Sequence, residues 1–277
     1  MASYRKVGCQ KNYKLRGIVL SKLKKIAIPL SVFIILLIIW QVAVIIFDPP
    51  QFLLPGPADI VKSTCEFGAG WVKHFWFTVE ATLLGFLTAI IFGVIASIGI
   101  VHSKFINAAI TPLLVVLQVV PKVAFAPLLL VWFGTGKLPI VLITFLVAFF
   151  PVVVNTTLGL SDIEPELIDL TRCYHMSKSK VLFRIRFPNA LPYFFSGIKV
   201  ASTLSVIGAI IGEFVGSNQG LGYLIIIANN NLNTSLSMGS IFIISVFGLV
   251  LYQITVLLER FCMPWKAEEP QGLSSLN

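Results

Sequence analysis

Long apolar runs alternate with short polar breaks along this chain. A helix crosses the roughly 30 Å hydrocarbon layer of a bilayer with about 20 residues. Six runs are long enough: Ile26 to Phe47, Thr78 to Val101, Ala108 to Phe133, Leu138 to Leu160, Tyr193 to Val215 and Met238 to Leu258. They predict an all-α, polytopic membrane protein with six transmembrane helices. Lys22, Lys24 and Lys25 precede the first run, as in a signal peptide. That run is too long for one, and no small-residue cleavage site follows, so it reads as a retained anchor. The chain divides into a basic segment 1–25, a first helix 26–47, a core of five helices over 78–258 and a tail 259–277. No inverted repeat of the kind that marks many secondary transporters is visible.

Composition agrees. Of 277 residues, 57% are hydrophobic and 12% charged. That excludes disorder, which needs low hydrophobicity and high charge. It also argues against a soluble enzyme, because so much apolar side chain cannot be hidden inside one core. The net charge of +9 would raise nucleic acid as a partner for a soluble chain. In a membrane chain the distribution matters first, and the lipid bilayer, not nucleic acid, is the expected surroundings. Segment 1–25 and the loops 102–107, 161–192 and 259–277 hold sixteen Lys and Arg, and the opposite loops 48–77, 134–137 and 216–237 hold three. Both termini are therefore predicted to be cytoplasmic. Cys9, Cys65, Cys173 and Cys262 are far apart, as are the three histidines, so they predict free thiols and no metal site.

One cytoplasmic connection, 161–192, is long enough to carry structure of its own. Its first half predicts a short helix. Asp162 or Glu164 suits the cap, and Pro165 suits the first helical position, where no N–H is needed. Acidic residues lead and basic residues follow, which complements the helix dipole. Ile163, Leu167, Leu170 and Tyr174 recur at helical spacing and share a face. About three turns are not stable alone in water, so this helix must lean on the membrane domain or on a partner. The external segments 48–77 and 216–237 also have room for short helices.

The loop resembles the signature of inner-membrane subunits of ABC importers: Glu-Ala-Ala, three residues, Gly, nine residues, then Ile-x-Leu-Pro. Here the counterpart is Asp169-Leu170-Thr171, then Arg172 to Tyr174, His175, nine residues, and Ile185-Arg186-Phe187-Pro188. The spacing matches throughout, while Leu170, Thr171, His175 and Phe187 depart from the pattern. A glycine at 175 would leave the helix with φ above zero. His is among the few other residues enriched there, at some cost.

Further stretches are similar to the nitrate, sulfonate and taurine permease group. They are Phe52-Leu53-Leu54-Pro55-Gly56-Pro57, Pro121 to Leu128, Trp132 to Gly136, Phe149-Phe150-Pro151 and Gly220-Leu221-Gly222-Tyr223. The resemblance implies the type I importer permease fold in a bacterial inner membrane, with 161–192 holding a cytoplasmic coupling helix. It implies three partners: cytoplasmic ABC ATPase subunits, an external substrate-binding protein and a second permease copy. ATPase coupling falls to Asp169, Leu170, Thr171, Arg172, Tyr174, His175, Ile185 and Pro188. The chain has no GxxxxGK[ST], so no cofactor is expected in it and ATP is expected on the partner subunit. The substrates implied are anions such as nitrate, sulfonate or taurine, or pyrimidine- and riboflavin-type vitamin precursors.

Polar residues inside spans are functional candidates by default. Lys122 lies between Pro121 and Pro127, and Pro121 is predicted to kink the helix by freeing the Leu117 carbonyl. Lys122 either suits an anionic substrate, pairs with Glu213 or snorkels. Gln118 and Asn155 are further pathway candidates. Glu213 sits among Gly208, Gly212 and Gly216, whose spacing permits close helix packing. Lys199 is expected to snorkel and Glu80 to reach water. Trp40, Trp71, Trp76 and Trp132 are expected to anchor at the interfaces. The competing reading is an autonomous secondary transporter or channel working through Glu213 and Lys122. A membrane-embedded enzyme lacks a catalytic cluster.

Overall fold

A computed structural model describes residues 27–28 and 31–264. The basic segment 1–25, Ile26 at the start of the first predicted span, Cys9 and residues 265–277 of the tail lie outside the described residues. No strand occurs among the described residues. The helices are α1 (Ser31–Phe47), α2 (Pro57–Glu66), α3 (Gly70–His102), α4 (Lys104–Val119), α5 (Ala126–Phe133), α6 (Lys137–Ser161), α7 (Pro165–Cys173), α8 (Lys178–Val181), α9 (Phe187–Gly216), α10 (Leu221–Asn230) and α11 (Thr234–Cys262).

The six uniform runs become something less uniform. Helices α3, α6, α9 and α11 are each long and apolar enough to cross a bilayer unbroken. The third predicted span, Ala108 to Phe133, is instead two helices, α4 and α5, meeting at 87° through a 3-10 turn over Lys122–Phe125. Pro121 and Pro127 each remove a backbone donor there, so the helix cannot run through. The break is sharper than the single kink the sequence predicts. The shorter apolar helix α1 is described over Ser31–Phe47. Its Gln41 accepts from the Ala58 N–H at 3.1 Å, tying it to the start of α2.

Helix α9 begins six residues before the predicted Tyr193, and runs through Pro192. A π turn, Leu182–Arg186, leads into it, with the Phe187 N–H reaching back to the Leu182 carbonyl. Pro188 follows directly, and a proline ring clashes with the carbonyl four residues back, which the wider turn relieves.

Helix α6 is the centre of the bundle, between α3 and α9. Close approach along both seams is set by glycine. A Cβ on Gly208 would lie 2.9 Å from Thr144 Cα, and one on Gly212 would lie 2.9 Å from Ile140 Cα. On the other seam a Cβ on Gly85 would come 2.4 Å from Thr144 Cβ. The predicted role of the 208, 212 and 216 series in close packing is thus realised, with Gly216 lying against Leu130 of α5. Lipid offers no hydrophobic drive between helices, so dispersion across such close seams carries the association.

Two corrections concern polar groups. Lys199 does not snorkel: its Nζ lies 2.7 Å from Glu259 Oε2, tying α9 to α11 in a half-buried pair. Glu80 reaches water as expected, its side chain 55% exposed beside Lys137. Trp71 is no interfacial anchor either, being 7% exposed and donating its indole N–H to the Thr64 carbonyl at 2.8 Å. Trp76 and Trp132 are exposed, as an anchoring belt requires.

Candidate coupling face and translocation site

The candidate residues fall toward two ends of the bundle. At one, α6 stops at Ser161 and α7 follows with Pro165 at its first position, as the sequence predicts. The cap differs from expectation. Glu164 is the capping residue but its side chain makes no capping bond. Asp162 is used otherwise: its carboxylate accepts from the Tyr193 hydroxyl and its carbonyl from Asn189. Arg186 donates to the Leu160 carbonyl at 2.9 Å. These side chains satisfy carbonyls left open at the end of α6, and the Arg186 charge complements the dipole there. Leu160, Leu182 and Ala190 close a small apolar core beneath, with Ile98 and Val101.

Helix α7 therefore sits on an anchored base, but its apolar stripe turns away from the bundle. Leu167 is 38% exposed, Leu170 51% and Tyr174 75%. The residue facing inward is Thr171, at 5%, with Ile168 partly covered beside it. Asp169 and Arg172 form an exposed pair at 2.9 Å on the outer surface. Of the predicted coupling residues, Ile185 is half-buried in the π turn and Pro188 is exposed at the start of α9.

The end of α7 answers the question posed by His175. Its φ is +48°, in the left-handed region. The His175 N–H donates to the Arg172 carbonyl at 2.9 Å, and the Met176 N–H to the Thr171 carbonyl at 3.0 Å. Those two bonds define a Schellman ending, usually completed by glycine. Here histidine completes it, with Nδ1 3.1 Å from the Cys173 carbonyl.

Lys122 lies in the 3-10 turn that breaks α4 from α5. Its Nζ donates to the Gln118 carbonyl at 3.2 Å and stands 4.7 Å from the centre of the Phe150 ring. It does not pair with Glu213. Gln118 is exposed, and Asn155 donates to the Pro151 carbonyl at 2.8 Å where α6 meets Gly197 of α9. The four pathway candidates are therefore not gathered at one place.

Glu213 belongs to the other end. It is 1% exposed, and its two oxygens accept from the Thr78 hydroxyl and the Gly222 N–H, each at 2.7 Å. The Leu221 N–H donates to Thr78 Oγ1 at 2.9 Å, and the Gly220 N–H to His74 Nδ1 at 3.1 Å. Three consecutive donors at the start of α10 are thus satisfied by side chains of α3 and α9. Gly220 has φ +109°, and a Cβ there would lie 2.3 Å from Glu213 Cδ. That contact explains the Gly-Leu-Gly stretch. Sequence reasoning missed His74 and Thr78. The only available signal was that Gly220, with no side chain, cannot cap the helix it begins.

The described residues thus form a bundle of membrane-length helices with one broken span and a short helix presented outward from one end. Residues 89–264 match the family of binding-protein-dependent transport system inner membrane components, and the chain belongs to it. It is 34% identical to a probable ABC transporter permease protein of Haemophilus influenzae, over 84% of this chain and 96% of that one. It is 31% identical to a formylaminopyrimidine transport permease protein of Halalkalibacterium halodurans, over 87% and 96%. A riboflavin transport system permease protein of Chloroflexus aurantiacus is 33% identical, over 84% and 88%. The protein is a multi-pass permease subunit of an ABC importer. The autonomous-carrier reading gains no support from these relatives.

Proposed function

We propose that α7 is the contact through which a cytoplasmic ATPase drives this permease. The exposed stripe Leu167, Leu170 and Tyr174, on a helix anchored at its base, carries the reading. Buried in a cleft of the ATPase, the stripe gives apolar area, while Asp169 and Arg172 give polar contacts at the rim. The Schellman ending at His175 keeps the helix from fraying, so a push on α7 passes through the short 162–164 connection into α6, and through Asn189 and Tyr193 at Asp162 into α9. In this reading both termini are cytoplasmic, two copies of the chain form the pathway, and an external binding protein delivers the solute. No cofactor resides in this chain, and ATP is bound by the partner subunit.

The test is Asp169→Lys. It is expected to abolish uptake and weaken ATPase association, while the spans stay folded. Normal uptake with normal association would defeat the assignment.

The solute we infer is a pyrimidine- or riboflavin-type vitamin precursor, supported by the names of the two relatives above. A second reading, a small anion, is favoured by Lys122, a cation at the broken span that no described carboxylate pairs. Titrating the cognate binding protein by calorimetry with a formylaminopyrimidine, riboflavin, nitrate and taurine separates the two.

A further inference from the structure

Helix α9 carries the chain away from the α7 end, and α10 and the start of α11 follow at the opposite end. There the start of α11 and one face of α2 enclose an open cleft of about 330 Å³. Asp59, Lys62 and Glu66 stand three and four residues apart, so they share the α2 face that lines it. Among the described residues none of the three is ion-paired, and Asp59 accepts only from the Gly56 N–H, at 3.1 Å. Ser235 of α11 lines the same cleft. It is 9% exposed, and its hydroxyl has no hydrogen-bond partner among the described residues. Buried hydroxyls are normally bonded, so the cleft holds an unused donor and acceptor. Leu232 stands on the rim, at the end of α10. Its N–H donates to the Asn229 carbonyl at 3.0 Å, and the Asn233 N–H to the Ala228 carbonyl at 2.8 Å. This is the Schellman ending seen at His175, with Leu232 in the left-handed position at φ +55°. A bulky residue is strained there, where glycine or asparagine is at ease. Its side chain is 68% exposed, so packing within the chain does not offset the strain. Phe52, 55% exposed, is tied to this rim by its carbonyl, which accepts from the Thr234 hydroxyl.

The cleft is a fixed platform outside the hydrocarbon. The Trp71 indole holds the Thr64 carbonyl of α2, and Thr64 lies against Gly239 of α11. Helix α11 begins four residues before its apolar run at Met238, so its start stands about 6 Å beyond the hydrocarbon edge. The cleft lies between α2 and α11, away from α6 at the centre of the bundle, which suits a partner rather than the solute. An exposed apolar anchor beside polar groups that a partner can desolvate is the anatomy of a protein interface. The family of this chain is binding-protein-dependent. We propose that the α2–α11 cleft and Leu232 are the docking surface for the external binding protein. Leu232 enters an apolar pocket of that partner, and a basic side chain of the partner reaches Asp59 and Glu66. Two carboxylates to one ammonium set the sign of that complement. Ser235 supplies a hydroxyl for the partner to satisfy. The proposal rests on the proposed orientation, which makes this end external.

The test is ATP hydrolysis by the permease–ATPase complex in lipid nanodiscs, titrated with the solute-loaded cognate binding protein. Leu232→Asn keeps a residue that tolerates the left-handed turn and removes the apolar side chain. It is expected to raise the half-saturating binding-protein concentration at least about tenfold. Glu66→Lys is expected to raise it too, more at low salt than at high salt. Retention of the ATPase shows that a variant complex is folded. In such a complex an unchanged half-saturation, for either variant, overturns the proposal, whether the leucine then lies among lipid headgroups or in water. Orientation is read separately, with a membrane-impermeant maleimide on sealed right-side-out vesicles. Cys65, exposed on α2, is expected to be labelled from outside. No labelling overturns the orientation and the docking surface with it. Labelling with an unchanged half-saturation overturns the docking surface alone.

Discussion

Gly208→Ala tests the packing that holds the bundle together. The added Cβ would sit 2.9 Å from Thr144 Cα, closer than real Cβ contacts are found. The neighbour is backbone, so no rotamer change relieves the clash. Either α9 shifts away from α6, opening the seam on both sides of the contact, or Thr144 moves toward α3. The second route is closed by Gly85, itself in contact with Thr144. Overpacking of a close-packed interior costs about 1–3 kcal/mol. Alanine recovers up to about 1 kcal/mol of helix propensity over glycine, which sets the lower end of the net loss. Each net kcal/mol lowers Tm by about 2–4 °C for a chain of this size. The assay is thermal unfolding in one detergent, wild type against variant. Gly99→Ala is the control, because nothing lies within 4 Å of its Cβ position and it shares the propensity gain. Gly208→Ala should melt below wild type and Gly99→Ala at or above it. Equal shifts in both variants would refute the argument that backbone contact, rather than propensity, fixes glycine at 208.

The remaining predictions separate buried from exposed polar pairs and probe the ends of the bundle. Lys199→Ala removes one partner of a pair whose side chains are 20% and 12% exposed, and should lower Tm by the equivalent of about 1–3 kcal/mol, the cost of losing a part-buried charged hydrogen bond. Arg172→Ala breaks a pair 76% and 69% exposed, and should leave Tm within about 1 kcal/mol equivalent of wild type. His175→Gly relieves a left-handed non-glycine residue, which costs about 1–3 kcal/mol. It should therefore slow proteolysis within 163–176, and unchanged cleavage would count against strain there. Gly220→Ala combines φ +109° with a clash against Glu213, and should abolish protection of the 217–224 amides from hydrogen exchange.

The sequence by itself determined what depends on composition and period. Runs of about 20 apolar residues suit a bilayer crossing, so the four unbroken membrane-length helices and their polar breaks were legible, while the sharp break of the third run was not. The start of α7 at Pro165 and its apolar stripe were also legible, because each follows from local rules, and the need for a special backbone at 175 was legible from the resemblance to the permease signature, where glycine stands. The glycine series on α9 announced close packing, though not against which helix. Tertiary structure decided everything that turns on long-range contact. Lys199 reads as a snorkelling residue until α11 brings Glu259 beside it. His74 and Thr78 look unremarkable until α3 carries them to the start of a helix more than a hundred residues away. Whether α7 covers its stripe or presents it was equally open. A periodic face says only that something must be buried, and in the fold α7 buries Thr171 while the neighbouring stripe Leu167, Leu170 and Tyr174 stays exposed.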